Sequence, residues 1–403
     1  MKKHFKLFIP LAALLVLIAS GGQGSLTTTP ETVGLSSDTL ALAAQKMQEY
    51  IDNGKLAGIA TLVMKDGKIV HREEFGFANI EEQKPVVENS IFRIFSMTKP
   101  ITAVALMTLY DEGKFELDHK LSRYIPEFAD VMVYNPETES LDPQENELTI
   151  RHLLTHTSGI VYGWGQSYVD SLYRTTGVGA WDSATIGDKV KIMTGLPLKF
   201  QPGSAWEYGL SIDVAGYLVE VLSGVPLDEY FKSKIFEPLH MDDTGFYVPE
   251  EKLDRFTEVY YLDGEGDLKT GGFMGEAFKK PTVLFYGGAG LVSTMDDYLS
   301  FCRMLLNGGT LNGVQILEES TVKMIMSDQL PETASYREGN GYGLAGQVNL
   351  ESGAYSWAGA ASTNFWIDPS NQMIIITYAQ LMPGDHSYAY EFNNIVKRAL
   401  IKE

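Results

Sequence analysis

The stretch GIATLVMKDGKIVHREEFGFAN, Gly58 to Asn79, holds two runs rich in β-branched and aromatic residues on either side of Asp66-Gly67. Asp-Gly between two such runs is a strong two-residue hairpin signal, because both residues tolerate the left-handed backbone a tight turn needs. The far end of the chain repeats this chemistry. TNFWIDPSNQMIIITYAQ, Thr363 to Gln380, reads as strand, Asp-Pro turn and strand, and SYAYEFNNIVKRALIK after it reads as a closing helix. Before the first hairpin, Leu40, Ala43, Ala44, Met47 and Ile51 fall on one helical face, with Ser37 or Asp38 as cap and Asn53-Gly54 as stop. Between the ends, ITAVALMTLYDEG, SIDVAGYLVEVLSG, LDEYFKSKIFEPL and DDYLSFCRMLLNGG carry helical periodicity. Strands at both ends around a helix-rich centre predict an α+β fold. One antiparallel sheet, flanked by helices, is built from both termini and carries a helix-rich insertion. The expected division is residues 25–105 with 285–403 for the sheet unit and 106–284 for the insertion, with the site where they meet.

The chain has 403 residues, 44% of them hydrophobic and 21% charged, globular values that allow a large core. Lys2, Lys3 and Lys6 precede an apolar run from Leu7 to Ala19 and then small residues, which reads as a secretory signal over 1–24, cleaved between Ala19 and Ser25. An uncleaved N-terminal anchor is the alternative. A lipoprotein is excluded, since the only cysteine is Cys302. A secreted location follows, with no stable membrane association after cleavage. The net charge of -20 repels nucleic acid and anionic membrane. Cys302, in YLSFCRMLL, reads as a buried small hydrophobe. His152 and His156 are spaced i, i+4, but with no acid between them they read as structural residues near a helix end, and no metal is expected.

The chemistry gathers around RIFSMTKP, Arg93 to Pro100. On a helix, residues three apart share a face, so Ser96 and Lys99 meet. Pro100 fits only if the helix has barely begun. Ser96 then lies at a helix N-terminus, where free N–H groups favour an oxyanion, and a lysine crowded by apolar neighbours can serve as base. No serine carries the G-x-S-x-G elbow, and no S-D-N occurs.

Taken with GIATLVMKDGKIV, IFRIFSMTKPITAVALMTLYDEGKFELDHKLSRYIPEF, LTIRHLLTHTSGI, QPGSAWEYGLSIDVAGYLVEVLSG, GGAGLVSTMDDYLSF and GYGLAG, the chain resembles the serine β-lactamase/penicillin-binding-protein superfamily. Within it, the resemblance is to the class C-like esterase branch, and it covers nearly the whole mature chain. It implies the β-lactamase/transpeptidase-like fold, Ser96 as nucleophile, and Tyr208 in WEYGLS as the tyrosine that works with Lys99. The family's Asn position is Leu210. YSWAGAAS stands where the family places K-T-G or H-T-G on a strand lining the site, so Trp357-Ala358-Gly359 replaces it. A cation there would grip a substrate carboxylate; an indole offers apolar area and one N–H. The match therefore points to neutral acyl esters, with the N–H groups of Ser96 and Ala360 as oxyanion hole and Trp357 and Gly359 beside the substrate.

Tyr134 matches a loop tyrosine of the esterase branch. Tyr162, Trp164 and Tyr168 stand between glycines, and Phe285-Tyr286 precede GGAG. Such aromatics either line an acyl pocket or cover the core, and Tyr134, Trp164 and Tyr286 are read as pocket wall. The expected protein is a secreted or, as the resemblance implies, periplasmic serine ester hydrolase with a small-molecule ester substrate and no cofactor. β-Lactamase or D-alanyl-D-alanine carboxypeptidase, acyltransferase, and a non-catalytic envelope-binding protein are the alternatives, and the oligomeric state is open.

Overall fold

Asp66 and Gly67 both adopt positive φ, 50° and 74°, and close the hairpin between β1 (Gly58–Lys65) and β2 (Lys68–Asn79). The computed structural model describes residues 22–23, 28–271 and 273–401, so the expected signal lies outside it except for Gly22–Gln23, which pair with β2. The C-terminal strands are β3 (Asn340–Tyr342), β4 (Gln347–Asn349), β5 (Tyr355–Gly359), β6 (Thr363–Asp368) and β7 (Met373–Tyr378). They extend the sheet in the order β2-β1-β7-β6-β5-β4-β3, every pair antiparallel. The two chain ends join at its centre, where Leu62 of β1 lies opposite Ile376 of β7.

Both faces of the central strands are covered. Ile59 and Val63 of β1, Trp366 of β6 and Ile375 of β7 pack under α1 (Ser37–Asp52) and α5 (Ser387–Arg398). The alternate residues Leu62, Phe365, Ile374 and Ile376 join the larger core with α4 (Met295–Leu306). Cys302 is fully buried in α4, and burial raises its thiol well above the ordinary range. The α1 cap is Ser36, one residue before the expected position. Its Oγ accepts the Thr39 N–H at 3.2 Å, while Glu31 takes both the N–H and the hydroxyl of Ser37.

Helix α2 (Thr98–Asp111) is buried on every side from Thr98 to Leu109, and packs against α3 (Ser211–Ser223). The expected boundary at 105/106 falls inside this continuous helix. Tyr260 exchanges backbone bonds with Gln380 and Met382, at 2.8 Å each, so this part of the numerical insertion is stitched to the sheet unit. Arg93 adds a second fastening from a fully buried position. It donates to the carbonyls of Thr257 at 2.6 Å and Gly275 at 2.7 Å, its guanidinium 4.0 Å from the Phe256 ring. His152 serves the helix start at 149–152, its Nδ1 accepting the Thr149 N–H at 3.2 Å.

Two measurements check these contacts. Arg93→Met leaves two buried carbonyls without donors, so urea unfolding should show a loss of about 3 kcal/mol. Burial pushes the Glu74 carboxyl on β2 from 4.5 up to about 7. The folded state then keeps a proton that the unfolded chain has released, so stability falls as pH rises through that window. Glu74→Gln should raise Tm at pH 8 and leave it nearly unchanged at pH 4.5.

Candidate active site

The chain enters the site through a strained residue. Phe95 has φ 40°, an uncommon backbone for a bulky side chain, with a cost on the order of 1–3 kcal/mol. The rings of Phe278 and Trp181, at 5.6 and 6.4 Å, hold its side chain. Ser96 follows in a single 3-10 turn, Phe95–Met97, that leads directly into α2. Pro100 occupies the first turn of α2, where its missing N–H leaves no bond broken. The turn is tied from behind: the Tyr298 hydroxyl donates to Met97 O at 2.9 Å, and Thr98 Oγ1 accepts the Leu291 N–H at 3.1 Å.

One helical turn on, Lys99 is completely shielded from solvent. Its Nζ lies 3.2 Å from Ser96 Oγ, 3.1 Å from Tyr162 Oη and 2.7 Å from Gly288 O. Gly288 O can only accept, so Lys99 always donates there. A neutral amine would also donate to Tyr162 and have its lone pair left for the Ser96 hydroxyl proton. Behind this carbonyl, the Gly288 N–H donates to Asp213 Oδ1 at 2.8 Å. A Cβ on residue 288 would lie 2.7 Å from Asp213 Oδ2, which is why glycine stands there. Burial pushes the Asp213 carboxyl up to about 6, opposed by the Lys99 charge. His156, wholly buried, is held well below the imidazole range by burial and by Lys99, so it stays neutral and its Nδ1 accepts the Gly209 N–H at 3.4 Å. His156 thus steadies the backbone beside Tyr208, with the two rings 4.9 Å apart.

Two tyrosines flank the lysine in different ways. Tyr162 reaches it through oxygen, and burial keeps that phenol well above the ordinary range. Tyr208 reaches it through its ring, whose centroid is 4.6 Å from Nζ; among the described residues its hydroxyl has no hydrogen-bond partner. Tyr208 is half-buried and faces a cavity of about 400 Å³ that opens over Ser96. Gly359 and Ala360, at the end of β5, lie on the same cavity. The N–H groups of Ser96 and Ala360 have no acceptor among the described residues. A Cβ on Gly359 would come within 2.2 Å of Ile94 O, so glycine is what lets β5 lie against the serine turn.

The cavity walls are aromatic. Trp357 lines them, but its Nε1 is buried without a partner among the described residues, so it presents indole carbon and no donor. Trp164 lines them too, stacked on Tyr162 at 4.3 Å. Two expected wall residues do not belong to this cavity. Tyr134 packs its ring on Tyr168 at 4.9 Å. Tyr286 is buried, its hydroxyl directed at the carbonyls of Val178 and Ala180, 3.1 and 2.9 Å away. Leu210 is buried in the core. The chain does contain one Lys-Thr-Gly triplet, residues 269–271. Its lysine pairs with Asp263 and Asp267 on the hairpin of Tyr260–Leu262 and Leu268–Thr270, away from the cavity.

Sequence reasoning missed Asp213, Gly288, Trp206, Tyr336 and Arg337, and took Tyr162 only as a pocket or cover residue. One signal for Asp213 was available: an acid inside the apolar helical pattern SIDVAGYLVE.

The profile of the Beta-lactamase family matches residues 43–400. Protein Rv1367c of Mycobacterium tuberculosis is 34% identical over 361 residues, 84% of this chain and 89% of its own length. Esterase EstB of Burkholderia gladioli is 29% identical over 372 residues, covering 84% and 90%. The solved structure of EstCE1, described as a hydrolase with promiscuous acyltransferase activity, superposes with a TM-score of 0.74 at 24% identity, covering 89% and 98%. With that profile spanning most of the chain and an esterase among relatives aligned over most of their length, this protein belongs to the Beta-lactamase family and is a serine hydrolase.

Proposed function

We propose that the protein hydrolyses carboxylic esters through an acyl-enzyme on Ser96. The observation that carries this reading is the contact of 3.2 Å between Ser96 Oγ and the buried Lys99 Nζ, at the foot of an aromatic cavity. The Ser96 hydroxyl loses its proton to Lys99 as its oxygen attacks the ester carbonyl. The N–H groups of Ser96 and Ala360 receive the developing oxyanion. The proton then passes to the alkoxide as its bond to the acyl carbon breaks. Water attacks the acyl-enzyme by the same route and frees Ser96. Tyr162 and Gly288 hold the lysine, whereas the unbonded Tyr208 hydroxyl in the cavity is available to carry the proton to the leaving oxygen. The aromatic wall, with carbon rather than a cation from Trp357, supports esters over penicillin-type substrates. Export, which rests on the N-terminal sequence pattern, is part of the same proposal and is tested by fractionating the native host.

Steady-state hydrolysis of p-nitrophenyl butyrate, with nitrocefin in parallel, tests the reading. Ser96→Ala should abolish ester turnover, and Lys99→Ala should lower kcat by about 10²–10⁴-fold. Nitrocefin turnover above ester turnover would assign the site to β-lactams instead. Tyr208→Phe keeps the ring over Lys99 and removes only the hydroxyl, so a kcat loss with little change in KM is expected. Tyr162→Phe should cost less; the reverse order would place the proton path through Tyr162.

A further inference from the structure

The chain carries 52 acidic and 32 basic residues besides histidine, yet among the described residues no aspartate or glutamate lines the cavity above Ser96. Arg337 is the one arginine there among the described residues. His386 also lines it, but burial lowers its imidazole below the ordinary range, which leaves the guanidinium as the formal charge. Arg337 is exposed, and no carboxylate among the described residues lies within 4.0 Å of it. It is placed on a firm support. The guanidinium carbon lies 5.2 Å from the Tyr336 ring centroid, and that ring packs against Trp206 at 4.6 Å. The Tyr336 hydroxyl donates to Gln347 Oε1 at 3.1 Å, and the Arg337 carbonyl accepts the Asn340 N–H at 2.9 Å. Ring, hydroxyl and turn therefore fix where the arginine stands, while its fork of donors is unused.

We infer that the ester this enzyme serves carries a free carboxylate, held by Arg337 at the cavity rim. The inference rests on the ester-hydrolase reading and names the substrate class within it. Arg337 supplies the planar pair of N–H donors that matches a carboxylate. The strand position beside Ser96 offers indole carbon from Trp357, so the anion belongs away from the scissile bond. Half-esters of dicarboxylic acids, or esters of acids with a distant carboxyl group, have that shape. The acidic surface elsewhere does not cancel the effect, because charges more than about 8 Å away are largely screened at physiological salt.

The test compares the p-nitrophenyl half-ester of adipic acid with its methyl diester, in wild type, Arg337→Gln and Arg337→Lys. Ser96→Ala supplies the background rate. Within each enzyme the ratio of the two kcat/KM values cancels any general loss. Wild type should favour the free carboxylate by about fivefold at physiological salt, through KM, and less at about 1 M salt. Arg337→Gln should bring the ratio close to one, and Arg337→Lys should restore part of it. Equal or better turnover of the methyl diester by wild type, or an unchanged ratio in Arg337→Gln, overturns the carboxylate assignment and leaves ester hydrolysis standing. No turnover of either ester above Ser96→Ala overturns both.

Discussion

A lysine side chain buried to zero exposure is the constraint on which the rest of the site depends. An ammonium or amine removed from water needs each of its hydrogen-bonding positions filled, or burial costs several kcal/mol. Here the filling groups come from three distant parts of the chain: the serine turn, the Tyr162 loop and the Gly288 turn. The last contact spans 189 residues of sequence. That one requirement explains why glycine stands at 288 and why a buried acid sits behind it at Asp213. It also ties the helical insertion to the sheet through α2, whose all-round burial carries Lys99 into the interior.

The fold was largely legible, because its decisive signals are local. Asp66-Gly67 dictates a tight hairpin whatever surrounds it, and the β-branched and aromatic runs of β1, β6 and β7 need only neighbouring residues. The register that joins β1 to β7, Leu62 opposite Ile376, is a long-range fact that neither hairpin records by itself. Unit boundaries were less legible. Helix α2 is buried on all sides, so periodicity gives no hint of which unit it serves, and Tyr260 is stitched to the segment after β7 through backbone bonds that no side-chain pattern records.

The site was legible where spacing alone decides geometry, as for Ser96 and Lys99 three residues apart. It was not legible where a tertiary contact decides. Tyr134, Tyr162, Trp164 and Tyr286 look alike as loop aromatics. Only packing makes Tyr286 a brace for the Val178–Ala180 backbone, Tyr162 a partner of the lysine and Trp164 a wall. The Lys-Thr-Gly triplet at 269–271 makes the same point from the other side. Its residues have the right names, but they sit on a peripheral hairpin with the lysine paired to aspartates, while Trp357-Ala358-Gly359 occupies β5 beside the serine. Meaning comes from the strand that carries the residues.

The central claim is that Ser96 becomes acylated during turnover. The direct measurement is peptide mass spectrometry of the protein acid-quenched during p-nitrophenyl butyrate hydrolysis. A butyryl group on the peptide holding Ser96, lost again when substrate is exhausted, is the expected result. Turnover that continues with Ser96 unmodified and a different residue carrying the acyl group would contradict the assignment.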